Sequence, residues 1–276
     1  MALEGDVFFY ALAGLVGGLV LFILGLKWFR QKQLMDNTPT SKIRSLAMGL
    51  VEIYGEVVAA KGRILKSPFT ENDCVYYRYT IEEQRKGKGG GMPGIPGGIV
   101  MGENPSGFAT NGSWAVVRKG EERTQFFLKD ETALVLVDPD GAKVDIPKDA
   151  EYSSGFGRDP PLQVTNFLKS QGVSHESFFG LNKTMRYREY YVAPKDKLYI
   201  MGTAGDNPFV DELTAKNSVD DVMIQKGKND KFYYISDKQE KDIVSSLRWK
   251  SLGGIFGGIA LVAIGLFVIF FQTGFL

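Results

Sequence analysis

Two stretches, VFFYALAGLVGGLVLFILGL (7–26) and SLGGIFGGIALVAIGLFVIFFQTGFL (251–276), decide the architecture of this 276-residue chain. Neither contains a charged residue, and each reaches the roughly 20 residues that a helix needs to cross about 30 Å of hydrocarbon. Working outward, residues 1–30 read as an N-terminal transmembrane anchor, 31–247 as a soluble domain and 248–276 as a C-terminal transmembrane helix. Glu4 and Asp6 stand where a signal peptide carries basic residues, so the first span reads as an uncleaved anchor. Lys27, Trp28, Phe29 and Arg30 after it supply an aromatic and basic interface. Lys27, Arg30 and Lys32 follow the first span, Arg248 and Lys250 precede the second, and the outer ends carry no Lys or Arg. By the positive-inside rule the domain is expected in the cytoplasm and both termini outside.

The pairs Gly14 with Gly18, Gly253 with Gly257 and Gly254 with Gly258 have the small-xxx-small spacing that lets helix backbones approach closely. They suit the packing of two spans from one chain, or the assembly of several chains into a homo-oligomer.

Thirty-three Lys and Arg stand against 32 Asp and Glu, so no strong positive field exists and no nucleic-acid partner is expected. One cysteine excludes an internal disulfide framework and fits a reducing compartment.

Between the anchors the pattern is mainly strand. Branched residues dominate 50–58, and 74–81 alternates, with Val75, Tyr77, Tyr79 and Ile81 on one face. Further strands are expected at 114–118, 125–128, 134–137, 142–146, 186–192, 198–203 and 232–235. Pro139-Asp140-Gly141 predicts a hairpin between 134–137 and 142–146. Asp159-Pro160-Pro161 should cap and open a helix that Gly172 closes. Ser236 and Gln239 have capping-box spacing, predicting a stalk helix over 236–249 that runs into the second span. The fold expected is a β-rich α+β domain, OB-like or Greek-key, between two transmembrane helices.

Residues 86–112 are crowded with Gly and Pro and read as a long loop inserted between two strands. Its centre is apolar, and Ile95, Ile99, Val100 and Met101 are candidate contacts with a partner or another copy of the chain. A solvated spacer is the alternative.

Catalytic chemistry is nearly absent. A triad from Ser174 or Ser177 with His175 lacks the strand-turn-helix setting of a nucleophile, and Cys74 lies in a predicted strand where packing explains it. Asp138 and Asp140 carry oxygens that a hard cation takes, but the turn uses the same residues for geometry. Gly87 to Gly91 is not followed by Gly-Lys-Ser/Thr, so it is no phosphate loop. No catalytic residue, metal or cofactor is expected.

The strings TPTSKIRSLAMGLVEIYGEV (38–57), LKSPFTENDCVYYRYTIEE (65–83), FFLKDETALVLVDPDGAKV (126–144) and YREYYVAPKDKLYIMGTA (187–204) resemble the GIDE-type, or "beside a membrane" (BAM), domain. That domain belongs to the Mulan-like family of mitochondrial and chloroplast membrane E3 ubiquitin ligases. FYYISDKQEKDIVSSLRWK (232–250) resembles the family's passage from domain to second membrane helix. The resemblance implies the order anchor, domain, anchor, and it implies ubiquitin transfer through a zinc-binding RING. One Cys and one His cannot ligate the two zinc ions of a RING, so the transferase activity is not expected to carry over. What it implies instead is a RING-less, membrane-anchored scaffold or protein-binding relative in the plasma membrane of a bacterium or archaeon. The alternatives are a component of a ligase completed by a separate RING-bearing chain, and an OB-like nucleic-acid binder. In mitochondrial relatives the domain faces the intermembrane space, whereas the basic flanks here favour the cytoplasm.

Overall fold

The computed structural model describes residues 2–86, 112–174, 182–209, 221–228 and 232–272. The chain begins with α1 (Ala2–Asp36). Thr38 ends it, donating from its N–H to the Met35 carbonyl (3.1 Å) and from Oγ1 to the Leu34 carbonyl (2.8 Å), and Pro39 has no N–H to continue the ladder. Next come β1 (Gly49–Ala59), the short pair β2 (Leu65–Lys66) and β3 (Asp73–Cys74), then β4 (Tyr76–Lys86) and β5 (Gly112–Arg123). They are followed by β6 (Phe126–Lys129), β7 (Leu134–Val137), β8 (Lys143–Asp145), β9 (Ala150–Ser154) and α2 (Leu162–Ser170). The chain finishes with β10 (Met185–Val192), β11 (Lys197–Asp206), β12 (Val222–Gln225), β13 (Tyr234–Ser236) and α3 (Glu240–Gln272).

Five strands close a barrel in the order β1-β6-β7-β12-β11 and back to β1. The β7–β12 pair is parallel and the other four are antiparallel. Period-2 alternation sends Val51, Ile53 and Val57 of β1 inward, to meet Leu128, Val137, Leu198, Ile200 and Ile224 in one core. Gly202 is needed on β11 because a Cβ there would lie 2.7 Å from the Tyr233 ring.

The second sheet, β5-β4-β10-β9, is antiparallel throughout and grows from the barrel. Tyr76 and Val192 pair at its root and belong to the barrel core. Farther out, α2 lays Val164 and Leu168 against Ile81, Met185 and Tyr187. Phe69, Tyr79 and Phe167 fill the space between with edge-to-face contacts of 4.9–5.8 Å between ring centroids. Gly172, at φ +64°, ends α2: its N–H and that of Val173 donate to the Lys169 and Leu168 carbonyls, a Schellman closure.

Several local expectations are corrected. Residues 139–141 do form a turn, with Gly141 at φ +72° and the Ala142 N–H on the Pro139 carbonyl. No hairpin results, because β7 pairs with β6 and β12 while β8 runs parallel to β13. The Tyr233 hydroxyl donates to the Asp138 carbonyl (2.7 Å), tying the turn to the end of the chain rather than to its neighbour. Ser236 is not a capping-box residue: its buried hydroxyl donates to the Asp145 carbonyl (2.8 Å) and accepts the Lys238 N–H. The helix therefore starts at Glu240, yet it runs unbroken through Gln272. Asp159 does not cap α2; Pro161 precedes its first turn and Asp159 accepts from Asn182. The strand expected over 74–81 is interrupted at Val75, whose N–H bonds the Val192 carbonyl (2.8 Å). Strands β9 and β12 had no sequence signal strong enough to predict them.

Glu189 is fully buried in the second sheet. It accepts the Phe69 N–H (2.6 Å), the Thr70 N–H (3.2 Å) and the Thr70 hydroxyl (2.6 Å), and so organises the β2–β3 connection. Glu189→Ala strands those donors and is expected to lose about 2–4 kcal/mol of stability, read as a lower thermal or urea midpoint. Glu189→Gln, which keeps an acceptor, should lose less than half as much. Equal midpoints for wild type and Glu189→Ala would refute this role.

Candidate functional site at the neck

Strands β1, β11 and β13 are covered on both sides. Leu198, Ile200, Tyr233 and Ile235 point into the barrel, whereas Tyr199, Met201 and Tyr234 point outward. The outward set is buried by the ends of the long helices, Met35 of α1 and Ile243 of α3, with Leu34, Val244 and Leu247 around them. The sequence signal is the unbroken apolar run LYIM (198–201) and the run FYYI (232–235), since a strand wet on one face would alternate.

Glu52 occupies the outward face of β1 in the same neck and is fully buried. Its carboxyl accepts from Thr40 Oγ1 (2.7 Å) and from the Tyr199 hydroxyl (2.8 Å). Burial pushes its pKa up, the two hydroxyls pull it back, and the Glu240 carboxyl in the first turn of α3 raises it again. The net direction is above the ordinary carboxylate value. Burial and the hydrogen bond to Glu52 likewise raise the Tyr199 phenol.

Below the neck, α1 and α3 pack antiparallel along a glycine seam. A Cβ on Gly18 would lie 2.9 Å from the Gly258 carbonyl, on Gly25 2.6 Å from the Ile255 nitrogen, and on Gly254 2.7 Å from the Gly25 Cα. A Cβ on Gly258 would lie 2.7 Å from the Gly18 carbonyl and from the Phe22 nitrogen. A Cβ on Gly257 would make an ordinary 3.4 Å contact with a Leu21 methyl, and one on Gly14 or Gly253 would meet open space. The seam thus takes Gly18, Gly254 and Gly258, along with Gly25, which carries no small-xxx-small partner in the sequence.

Where the helices leave the seam, a cavity of about 290 Å³ opens between them and the β8–β13 edge. Trp28, Gln31 and Met35 line it from α1, and Asp242, Ser246 and Lys250 from α3. Lys143, Asp145, Tyr234 and Lys238 complete it from the barrel. Asp145 accepts from the Tyr234 hydroxyl (2.7 Å) and from Lys238 (3.3 Å). Burial works against its charge, but those two partners and the nearby Lys143 charge prevail and hold its pKa below the usual range. Lys143 lies over the Tyr234 ring, 5.6 Å from its centroid. No reading of the sequence assembled this site, because its residues come from three distant segments.

The reactive groups weighed from sequence are not brought together. Cys74 is buried with its thiol on the Leu65 carbonyl (3.7 Å), and burial, with nearby acids, pushes its pKa up to about 12. Asp138 accepts from the Asp140 N–H (3.0 Å) and from Gln125 (3.2 Å), which is turn geometry. Among the described residues, no three of His, Cys, Asp and Glu form a group that could hold a metal ion. His175, Ser177, Gly87 to Gly91 and the loop residues Ile95, Ile99, Val100 and Met101 lie outside the described residues.

A family model, GIDE, described as E3 ubiquitin ligase, matches residues 103–270. The chain belongs to the GIDE family. The match takes in β5 to β13 and nearly all of α3, so the parallel β7–β12 closure and most of the neck fall inside the GIDE region. Comparison with curated proteins finds no match, and neither does comparison with solved structures.

Because the folded pKa of Glu52 is raised, the folded state holds that proton more tightly than the unfolded chain. Its contribution is fully present below the ordinary value of 4.5 and is lost as pH rises through the folded pKa. The melting temperature of wild type minus that of Glu52→Gln should therefore fall as pH is raised from about 4 towards neutrality. A difference that stays flat across that window would show the carboxyl to be unperturbed.

Proposed function

We propose that this GIDE-family chain is a two-helix integral membrane protein whose barrel domain binds or scaffolds other proteins at the membrane surface. The observation that carries the membrane part is the exposure of the two helices. Only 11% and 17% of their most apolar windows is buried in the molecule, so neither is the core helix of a water-soluble fold. Phe9, Tyr10, Phe256, Ile264 and Phe271 lie open on the outside of the helix pair, each more than 60% exposed. An apolar belt of that extent is stable in lipid and not in water.

The binding role is supported by what accompanies the membrane anchor. The family model that the chain matches is described as E3 ubiquitin ligase, and the resemblance noted from the sequence implies a domain that stands beside a RING in such ligases. These 276 residues hold one Cys and one His, fewer than a RING's zinc ligands, so they do not by themselves form one. The barrel order of first, second, third, fifth, fourth and back to first strand suits an OB-like, Greek-key barrel. On the second sheet Arg186 and Arg188 pair with Glu82 and Glu151, leaving no basic groove there to favour nucleic acid.

Lys27, Arg30, Lys32, Arg248 and Lys250 favour a cytoplasmic domain with both ends outside. Cys74, being buried, should react with a membrane-impermeant thiol reagent only after permeabilisation in denaturant. A cysteine introduced after Gln272 should label in intact cells; labelling of Cys74 and not of the tail, in intact denatured preparations, would reverse the orientation.

The loop 86–112 is the segment proposed to meet partners or other copies of the chain, through Ile95, Ile99, Val100 and Met101. Replacing Ile95, Ile99 and Val100 with Ser should leave thermal melting unchanged and weaken crosslinking in native membranes by about tenfold, some 1.4 kcal/mol. Unchanged crosslinking would reduce the loop to a spacer.

A further inference from the structure

We propose that the neck cavity is a binding site for the headgroup of an anionic phospholipid whose phosphate carries a polyol, a ligand drawn from the membrane in which the helices stand. The inference rests on the membrane reading above and assigns to that protein a site of its own.

Depth is the first argument. Counting along α1 from Leu26, the last residue of the apolar stretch, Trp28 lies roughly 3 Å beyond the hydrocarbon, Gln31 roughly 7 Å and Met35 roughly 13 Å. Counting back along α3 from Ser251, Lys250 lies roughly 1.5 Å beyond it, Ser246 roughly 7 Å and Asp242 roughly 13 Å. Both helices therefore place the lower part of the cavity in the headgroup layer, which is about 5–7 Å thick on each side. A headgroup beside the neck reaches the cavity without leaving the bilayer.

Charge and size choose the occupant. Lys143, Lys238 and Lys250 line the cavity against Asp145 and Asp242. Lys238 is engaged with Asp145. No ion pair within 4 Å joins Lys143 or Lys250 to another described residue, although Lys143 also acts on Asp145 from farther off, so three lysines against two acids leave the lining one positive charge in excess, which matches one phosphodiester. Basic pockets beside membrane helices capture anionic lipid headgroups on this principle. The cation nearest the hydrocarbon is Lys250, and the acceptors Gln31, Ser246 and Asp242 stand farther out. That gradient matches a phosphate below and hydroxyls above. Trp28, Phe232 and Leu247 give apolar walls against which a ring of carbon-bound hydroxyls can lie. About 290 Å³ is at the bottom of the range for small-molecule sites, which suits one headgroup and excludes the acyl chains.

The test uses the full chain. It is reconstituted into phosphatidylcholine nanodiscs doped with phosphatidylinositol, and native mass spectrometry counts the lipids retained after transfer to neutral detergent. One phosphatidylinositol per chain should be retained over phosphatidylcholine. Lys143→Gln with Lys250→Gln should lower that retention by about tenfold, while Lys61→Gln, remote from the cavity, leaves it unchanged. Ser246→Trp, which fills the cavity without altering charge, should lower it similarly with the melting temperature preserved. Equal retention of both lipids, or retention indifferent to these substitutions, overturns the proposal. So does binding of free glycerophosphoinositol as strong as that of the lipid, which would mark a soluble ligand. Alkaline carbonate washing of membranes separates the two readings. A chain that washes off overturns both, whereas a chain that stays but retains no phosphatidylinositol overturns the headgroup site alone.

Discussion

The contact on which everything else depends is the burial of Tyr199, Met201 and Tyr234 on the outer wall of the barrel by Met35 and Ile243 at the ends of the helices. A five-strand barrel needs only its inner face covered, and its outer face would ordinarily be polar. Here the outer face carries large apolar side chains at the positions where the two helices arrive, so barrel and helices share a core. Each buried side chain of this size contributes on the order of 1.5–3 kcal/mol. Five of them are enough to make the barrel and the helix pair one mechanical unit instead of two bodies on a hinge.

That shared core explains why a carboxylate is tolerated inside it. Glu52 sits between Thr40, just after α1, and Tyr199 on β11, and it faces Glu240 at the start of α3. Its two hydroxyl donors come from different segments, so the buried acid joins the exit of one helix to a barrel strand at the entry of the other. A buried polar group fixes geometry more than it adds stability. An apolar residue at position 52 would fill the volume but would leave the Thr40 and Tyr199 hydroxyls without this acceptor.

The helices and the principal strands were legible because each advertises itself over many residues. Twenty uncharged residues announce a long apolar helix, branched residues run through most of β1, and the alternation over 74–81 covers the start of β4. What escaped was short or non-local. VMIQ (222–225) is four residues, and AEYSS (150–154) has no apolar alternation. The Pro139-Asp140-Gly141 turn was readable as a turn but not as a pairing. Turn chemistry says that the chain reverses, while the partner of β8 is chosen by β13 almost a hundred residues later. In the glycine seam, spacing pointed to Gly18, Gly254 and Gly258, whereas Gly25 is set by the opposite helix and has no local signal. The resemblance strings reached the family from local segments, but the cavity had no such route. Its walls meet only after the barrel closes and the helices pair.

The same geometry constrains how a family that includes ubiquitin ligases can use this domain. The antiparallel seam makes α1 and α3 enter the barrel side by side, and the neck fixes how far the barrel stands from the last apolar turn. A protein held in that way has a narrow zone of reach, set by rigid elements and not by a flexible tether. On the proposed scaffold reading, partners would be presented at a defined height above the membrane, which would raise their effective concentration for a neighbouring chain held in the same bilayer. The second sheet, rooted at Tyr76 and Val192, projects from the barrel on the same rigid footing. A scaffold needs no reactive group of its own for this. The proposed role needs a fixed distance between the barrel and the apolar parts of the helices, and the shared core at the neck sets that distance.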